Sequence, residues 1–476
     1  MPIFLDFLKR GIALCYHEIM LYSTNMHYLK KFSPSSILAI FLAIFTIINP
    51  NAGLDILALL AIVFIILQKI FGEYFILILL VARPTLDYWR DIYLFSVKSF
   101  DLNINAALSV FLLIWSVYFF IKNRHYFKSI PTKIIWLLFI GWCALTAIYS
   151  YDLASTIRET IKAANLFSLF GICYIMSIKD PAKFKKDFLK AALIASAIPL
   201  LVAVYQFFSK TGLDIDGVAN RIYGTLAHPN ILATFALLLL MVLVNETWLV
   251  KNYKWLGLFL LTIIAFTYTR IAWVGVAAFF IIIGLVYYKK LLVYILTGAA
   301  LFYGLFYPFN NYLIINYNFN LQSFSLIDRL TARNEDSDSI KWRAAVANKV
   351  FPLFAKKPIL GYGYGSFPKV WDDNKDITNI WDTTSEAHND YIKVAFESGI
   401  IGLVLFLGIF INLLYNQIGF ALKNRWTNIA FIASIAVYLI LGLSDNMLHH
   451  TPMIWWLWAV WGWWAAEYRL NSKEQR

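Results

Sequence analysis

The sequence predicts an all-α polytopic membrane protein with about 12–14 transmembrane helices. Of its 476 residues, 60% are hydrophobic and only 14% are charged, whereas soluble domains contain roughly 45–50% apolar and about 25% charged residues. Apolar runs extend from about residue 36 to residue 468, so the hydrophobicity cannot come from one anchor of about 20 residues. Runs such as 231–244 are apolar on every side, which excludes the alternating strands of a transmembrane β-barrel.

Fourteen apolar runs bounded by charge, proline or glycine are the candidate spans. They cover residues 36–49, 51–68, 72–82, 104–121, 133–150, 159–178, 188–209, 223–244, 255–269, 271–288, 291–308, 391–416, 428–443 and 453–468. The first and third are shorter than the roughly 17 residues that a spanning helix needs. For these two runs, a re-entrant segment or a merger with a neighbouring helix is the alternative.

Lys and Arg are unevenly distributed between alternate connections. Placing the N-terminus in the cytoplasm assigns the basic clusters to the inner side, namely those around residues 9–10, 30–31, 122–133, 179–190, 251–254, 289–290, 423–425 and 469–476. Because cytoplasmic loops of membrane proteins are enriched in Lys and Arg, we expect both termini in the cytoplasm. The net charge of +13 has the same origin, so no nucleic-acid partner is expected.

The predicted organisation has five regions. They are a cytoplasmic or interfacial segment 1–35, a first helix bundle 36–308, an extracytoplasmic loop subdomain 309–390, C-terminal transmembrane helices 391–468 and a cytoplasmic tail 469–476. The long loop mixes both signs of charge with apolar residues at helical spacing in Ser339–Phe354. This pattern predicts a partly folded subdomain that lies against the bundle.

Ionisable groups at the outer helix ends form three patches, and such groups are costly unless they meet a partner, water or substrate. The first patch, residues 220–230, contains Arg221, His228 and Asn230. Fixed donors of this kind suit an anionic ligand. The alternative is a plain helix entrance, with Pro229 in the first turn and Arg221 extending to the lipid headgroups.

The second patch, residues 267–275, is a tight outer turn between two apolar helices. Arg270 stands there among apolar neighbours such as Trp273. A guanidinium can bind phosphate oxygens bidentately, and two arginines on one face would hold a diphosphate. The alternative is an arginine that only extends to the membrane surface.

The third patch, residues 386–391, lies directly before an apolar helix. Histidine side chains can exchange a proton near neutral pH, so His388 is suited to accept a proton from a hydroxyl, with Tyr391 facing the same site. The alternative is a capping segment with Asn389 or Asp390 as the N-cap. The glycines of 361–367 predict a compact turn, since no strand precedes them and no Lys-Ser/Thr follows.

No cofactor is predicted for this chain. The sequence has no Walker A motif and no clustered metal ligands, so we expect chemistry without ATP and without a metal. The three cysteines are few and two of them, Cys143 and Cys173, lie in apolar stretches, which is typical of small buried side chains.

In their order and spacing, these motifs resemble the superfamily of O-antigen ligases and O-antigen polymerases, which are membrane glycosyltransferases of bacterial surface polysaccharide assembly. The resemblance covers roughly residues 215–445. The matching positions are Arg221 with 224–225 and 228–230, then 269–273, 361–367, 388–391, 397–399 and Gly402.

The resemblance implies a GT-C-like helical architecture in the bacterial cytoplasmic (inner) membrane, with an active site that faces outward. It implies a donor glycan on undecaprenyl diphosphate, a lipid- or glycan-linked acceptor hydroxyl and contact with membrane lipids. By the same resemblance, the catalytic residues are His388, Arg270 and Arg221. The substrate-binding residues implied beside them are His228, Asn230, Trp273, Asn389 and Tyr391. Ligase and polymerase both stay open.

Two other classes of protein compete with this interpretation. A transporter or flippase of a lipid-linked or anionic solute should carry ionisable residues near the midplane of its helices. The runs 104–121, 223–244 and 271–288 contain none except His228 near one end, which disfavours transport. A scaffold protein would give no reason for Arg221, Arg270 and His388 to meet on one face.

Overall fold

The computed structural model describes most of the chain beyond residue 51. The described residues are 52–97, 100–215, 218–246, 254–286, 289–290, 292–293, 297, 339–374, 386–421 and 427–474. The predicted segment 1–35 and the predicted span 36–49 lie outside them. So do most of the span 291–308 and much of the predicted loop subdomain.

Helices dominate the described chain. They are α1 (Ala52–Phe71), α2 (Phe75–Leu86), α3 (Ile104–Lys122), α4 (Arg124–Phe127), α5 (Lys133–Leu145), α6 (Leu153–Lys179), α7 (Pro181–Ser209), α8 (Pro229–Asn245), α9 (Lys254–Phe266), α10 (Arg270–Val286), α11 (Ser339–Phe354), α12 (Phe367–Asn374), α13 (Asp390–Ala421), α14 (Thr427–Leu441) and α15 (Thr451–Glu474). Every predicted span between 51 and 288, and every one after 390, overlaps one of these helices. The prediction of an all-α polytopic membrane protein is confirmed.

Five described helical segments are long and apolar enough to cross a membrane. They are Leu59–Trp89, Ile104–Lys122, Leu153–Lys179, Pro181–Ser209 and Asp390–Ile418. Five shorter apolar helices accompany them, at Lys133–Ile148, Pro229–Asn245, Lys254–Phe266, Arg270–Val286 and Ile429–Leu441.

Two small antiparallel hairpins, which the sequence did not predict, connect helices. Strands β1 (Tyr93–Val97) and β2 (Phe100–Asn103) precede α3, and strands β3 (Leu213–Ile215) and β4 (Val218–Arg221) precede α8. The second hairpin corrects one predicted boundary. The run 223–244 is helical only from Pro229, because Gly224 takes a positive φ of 64°, which a helix cannot accommodate. Only glycine fits at this position, since an added Cβ would collide with the Pro199 carbonyl.

Helix α15 runs through the core and packs closely along α6. Its tryptophans Trp456, Trp458, Trp461 and Trp463 are each at most 1% exposed. Gly462 faces α6, where any Cβ would collide with the carbonyl of Phe170. The tryptophans are therefore packing residues of the bundle interior.

Contacts between helix ends define two ends of the bundle. One end, called the basic end below, gathers the lysines at the end of α3 and α6 around Glu73, with Lys179 Nζ 2.7 Å and Lys122 Nζ 3.2 Å from its carboxylate. The opposite end, called the site end, gathers the first residues of α8, α10, α13 and α15.

The glycine-rich segment 361–367 forms the compact turn that the sequence predicted. It crosses α13 where that helix is kinked at Gly399, whose φ is 68°. The Gly363 amide donates to the Glu397 carbonyl at 2.8 Å and the Phe367 amide donates to the Glu397 carboxylate at 3.2 Å. The turn thereby fixes the first part of α13 on which His388 depends.

Candidate active site

Asp445 joins the first and third sequence patches. It lies in the polar connection between α14 and α15 and is 3% exposed. Its Oδ2 accepts a hydrogen bond from Asn230 Nδ2 at 3.0 Å and lies 3.6 Å from His450 Nε2. Its Oδ1 accepts from the Asn446 amide at 2.8 Å and lies 3.8 Å from His388 Nδ1. One buried carboxylate therefore holds the start of α8 beside the histidine that precedes α13.

Arg221 brings the second patch to the same place. Its guanidinium donates through Nε to the Thr267 carbonyl at 2.9 Å, and through Nη2 to Asn230 Oδ1 at 3.1 Å and Thr269 Oγ1 at 3.3 Å. The hydroxyl of Thr269 also donates to Asn230 Oδ1 at 3.2 Å. Arg221 is only 1% exposed. These hydrogen bonds connect the turn between α9 and α10 to the start of α8.

Arg270 is the first residue of α10, directly after that turn. It is partly exposed, unlike Arg221. Tyr268 in the turn has a φ of 54°, and Trp273 donates from Nε1 to the Ile264 carbonyl at 3.3 Å, which ties α10 back to α9. The turn that positions Arg270 is therefore held from both sides.

His388 sits on strained backbone at the mouth of the cluster. Its φ is 45° and its side chain is 26% exposed. A non-glycine residue in this left-handed region costs of order 1 kcal/mol or more and is most often kept at functional sites. Asn220 in the first patch and Tyr268 in the second share this conformation, as do Thr132 and Lys210 outside the three patches.

Asn389 is the N-cap of α13, which was one of the two predicted alternatives. Its Oδ1 accepts from the amides of Tyr391 and Ile392, both at 2.9 Å, and its Nδ2 donates to the Leu443 carbonyl. The Tyr391 hydroxyl donates to the Leu439 carbonyl at 2.6 Å. Both side chains thus bind the end of α14 and its connection.

His228 is the N-cap of α8. Its Nδ1 accepts from the Asn230 amide at 3.1 Å, and Pro229 takes the first helical position, where no amide donor is needed. Of the predicted site residues on this patch, Asn230 is the one that bridges Arg221 to Asp445.

A second group of charges adjoins Asp445 and is called the Lys393 cluster. Glu386 Oε2 accepts from Lys393 Nζ at 3.0 Å and from Asn446 Nδ2 at 3.2 Å, and Glu386 Oε1 lies 3.2 Å from His449 Nδ1. Lys393 Nζ also lies 2.6 Å from His449 Nε2 and 3.8 Å from Glu397 Oε1. Lys393 is 4% exposed, so its charge is balanced inside the protein.

The charges around Asp445 set its protonation. Burial raises the pKa of Asp445, but the neighbouring His450 and His388 outweigh burial and hold that pKa below its usual range. For His450, burial lowers the pKa, and the attraction of Asp445 opposes this only in part. Near neutral pH, the pair is therefore an ionised Asp445 beside a neutral His450.

Sequence reasoning missed Asp445, His449, His450 and Lys393. A signal was present for three of them, because the polar run 444–450 separates two apolar spans on a predicted outer connection. Lys393 is a lone lysine in the first turn of an apolar helix, which carries little information by itself.

The described residues contain no group of three or more His, Cys, Asp or Glu side chains that could hold a metal ion. Cys143 and Cys173 are free and buried.

Comparison with known proteins gives the site a context. The family model described as O-antigen ligase matches residues 255–407. The chain is 32% identical over 117 residues to a candidate polysaccharide ligase of Rickettsia felis, a match that spans 24% of this chain and 26% of that relative. It is 25% identical over 348 residues to a candidate polysaccharide ligase of Rickettsia conorii, covering 68% of this chain and 76% of the relative.

The matched region contains the Arg270 turn, the glycine-rich turn and His388, three of the motifs on which the resemblance rested. The resemblance predicted from the sequence is confirmed over residues 255–407, where the chain matches the O-antigen ligase family model.

Proposed function

We propose that this protein transfers a glycan from undecaprenyl diphosphate to an acceptor hydroxyl at the outer face of the bacterial cytoplasmic membrane. The observation that carries the proposal is that the buried carboxylate of Asp445 lies beside both His388 and Asn230, and that Asn230 also binds Thr269 in the Arg270 turn. An imidazole and a guanidinium on one rigid frame are what such a transfer requires.

His388 is the proposed base. Asp445 Oδ1 lies 3.8 Å from His388 Nδ1, and the ring of His388 is proposed to accept the proton of the acceptor hydroxyl through Nε2. A carboxylate in this position orients the imidazole and stabilises the imidazolium that forms when the hydroxyl loses its proton. Asp445 is then a positioning residue that acts through His388.

Arg270 is the proposed direct contact to the diphosphate. Its partial exposure at the start of α10 lets a guanidinium meet phosphate oxygens, and preorganised donors stabilise the charge that builds on a leaving group. Arg221, buried below the turn, is proposed to hold Arg270 in place through Thr267 and Thr269.

The reaction balances without ATP. The acceptor oxygen forms a bond to the anomeric carbon, the bond from that carbon to the diphosphate oxygen breaks, and undecaprenyl diphosphate leaves with the electron pair. His388 takes the hydroxyl proton. Attack opposite the leaving group would invert the anomeric centre. We propose that arginine supplies the charge stabilisation for which other transferases use a metal.

The orientation follows from charge. The lysine-rich basic end belongs in the cytoplasm by the positive-inside rule, which directs the site end outward.

The described part of 309–390 supports the proposed loop subdomain, because Val346, Val350 and Phe367 form a small core with Phe396 of α13.

The positions of the buried charges favour transfer over transport. Lys393 and Glu397 lie in the first two turns of α13 at the site end. A transporter concentrates such groups near the bilayer midplane. These two buried charges therefore lie near the site end of α13, as the proposed transfer site requires.

The test is an assay of the purified full-length protein with an undecaprenyl-diphosphate glycan, without ATP or added metal. Parallel reactions contain or lack a lipid A-core acceptor. Glycan on the added acceptor identifies a ligase, and longer lipid-linked glycans without it identify a polymerase. Binding of the donor with no transfer in either reaction would contradict the proposal and favour a transporter.

A further inference from the structure

The basic end of the bundle contains a cavity of about 470 Å³ that is remote from the candidate active site. It is lined by His125, Tyr126, Lys128, Ser129, Ile178, Arg469 and Leu470. Arg469 lies eighteen residues along α15 from Thr451 at the site end, a separation of about 27 Å at the helical rise per residue.

The lining of this cavity is cationic. Lys128, Arg469 and the imidazole of His125 face it, and none of the described residues that line it is acidic. Arg469 Nη1 donates to the Ser129 carbonyl at 3.1 Å and to the Tyr174 hydroxyl at 3.0 Å. These bonds fix the guanidinium at the cavity wall, and a fixed guanidinium is a strong phosphate ligand.

Acidic residues near this end are paired with lysines: Glu246 and Glu467 both lie close to Lys185 Nζ, at 2.7 Å and 3.5 Å. The Glu73 carboxylate is bound by Lys179 at 2.7 Å and by Lys122 at 3.2 Å. Two lysines outside the cavity lining thus offset the charge of Glu73, and none of these paired carboxylates lines the cavity. Positive charge in the loops at this end is expected from the membrane orientation alone. The orientation does not, however, explain why the charged side chains line a cavity of about 470 Å³.

We propose that this cavity binds the phosphate of an anionic phospholipid headgroup from the cytoplasmic leaflet. Basic pockets between transmembrane helices on this side are suited to such headgroups, and the volume lies within the range of about 300–1,000 Å³ found for small-molecule sites. Ile178 and Leu470 give the wall an apolar part against which the glycerol and the first acyl carbons pack. Inorganic phosphate shares the charge but not the apolar contact.

Native mass spectrometry of the full-length protein in a neutral detergent tests this assignment. Phosphatidylglycerol, phosphatidylcholine and inorganic phosphate are titrated separately. We expect the wild type to retain phosphatidylglycerol, and the variant Lys128→Ala with Arg469→Ala to bind it at least tenfold more weakly. The control is Lys186→Ala with Lys190→Ala, which removes two exposed lysines of α7 at the same end and should stay within twofold of the wild type.

Because Arg469 also supports Ser129 and Tyr174, a second variant keeps those bonds. His125→Ala with Lys128→Ala removes only exposed side chains of the cavity and should weaken phosphatidylglycerol binding at least fivefold. Equal phosphatidylglycerol affinity in the wild type and both cavity variants would overturn the site. Equal retention of phosphatidylcholine, or displacement of phosphatidylglycerol by an equal concentration of inorganic phosphate, would overturn the assignment to an anionic lipid.

Discussion

Asp445→Asn removes the charge behind His388 while it keeps the shape of the side chain. The carboxylate lies 3.8 Å from His388 Nδ1, which corresponds to about 4 kcal/mol of attraction for a protonated histidine at an effective dielectric constant of about 20. Because the His388 side chain is 26% exposed, solvent screening weakens this attraction. We therefore expect Asp445→Asn to cost about 2–3 kcal/mol of transition-state stabilisation, which is typical of a charge-assisted contact. That loss corresponds to a decrease in kcat of roughly 30–150-fold.

The assay is the initial rate of glycan transfer at saturating donor, with kcat and KM determined separately. We expect the KM for the donor to change less than threefold, because Asp445 acts through the base. The matched control is Asp373→Asn, which removes an exposed carboxylate that accepts a hydrogen bond from the Tyr151 hydroxyl. If Asp445→Asn folds and its kcat equals that of the control, the pairing of Asp445 with His388 has no catalytic role.

Four further changes separate the roles assigned above. Arg221→Ala should lower the unfolding temperature, since each buried acceptor left without its donor costs about 1–3 kcal/mol. Arg270→Ala should leave the unfolding temperature unchanged and reduce kcat/KM for the donor at least 100-fold. The opposite pattern would exchange the roles of the two arginines. Burial raises the pKa of Glu386, but His449 and Lys393 outweigh burial and hold this pKa below its usual value of 4.5. The ionised Glu386 carboxylate therefore stabilises the folded protein fully above about pH 4.5, and this stabilisation is lost as the pH falls through the lowered pKa. Thermal unfolding should show a steeper loss of stability from about pH 5 to about pH 3 in the wild type than in Glu386→Gln. Gly399→Ala should lower the unfolding temperature, because its φ of 68° and the Ile359 carbonyl oppose a Cβ, while Gly408→Ala on the same helix should not.

Helices could be predicted from local pattern wherever apolar runs meet clear boundaries. The run 104–121 became Ile104–Lys122, with Asn103 Oδ1 accepting from the Ala106 amide at 2.8 Å as an N-cap. Residues 223–228 were misassigned to a helix because their apolar content hides the positive φ of Gly224. Hydrophobicity cannot distinguish a buried turn from a buried helix end.

The centre of the site could not be predicted because its contacts are distant in sequence. Asn230 and Asp445 are 215 residues apart, yet they share a hydrogen bond. Local patterns indicate that polar residues occupy helix ends, but they do not say which ends meet. For the same reason, the burial of Arg221 was not foreseen. An arginine beside an apolar helix can extend outward to headgroups or, as here, inward to backbone carbonyls.

The central claim is that the glycan leaves its lipid diphosphate between Arg270 and His388. The most direct measurement is the release of undecaprenyl diphosphate from labelled donor by the wild type, Arg270→Ala and His388→Ala, each with and without acceptor. We predict that release by the wild type requires the acceptor. We also predict that it falls at least 100-fold in Arg270→Ala and about 10²–10⁴-fold in His388→Ala. Release at the wild-type rate in both folded variants would contradict the account.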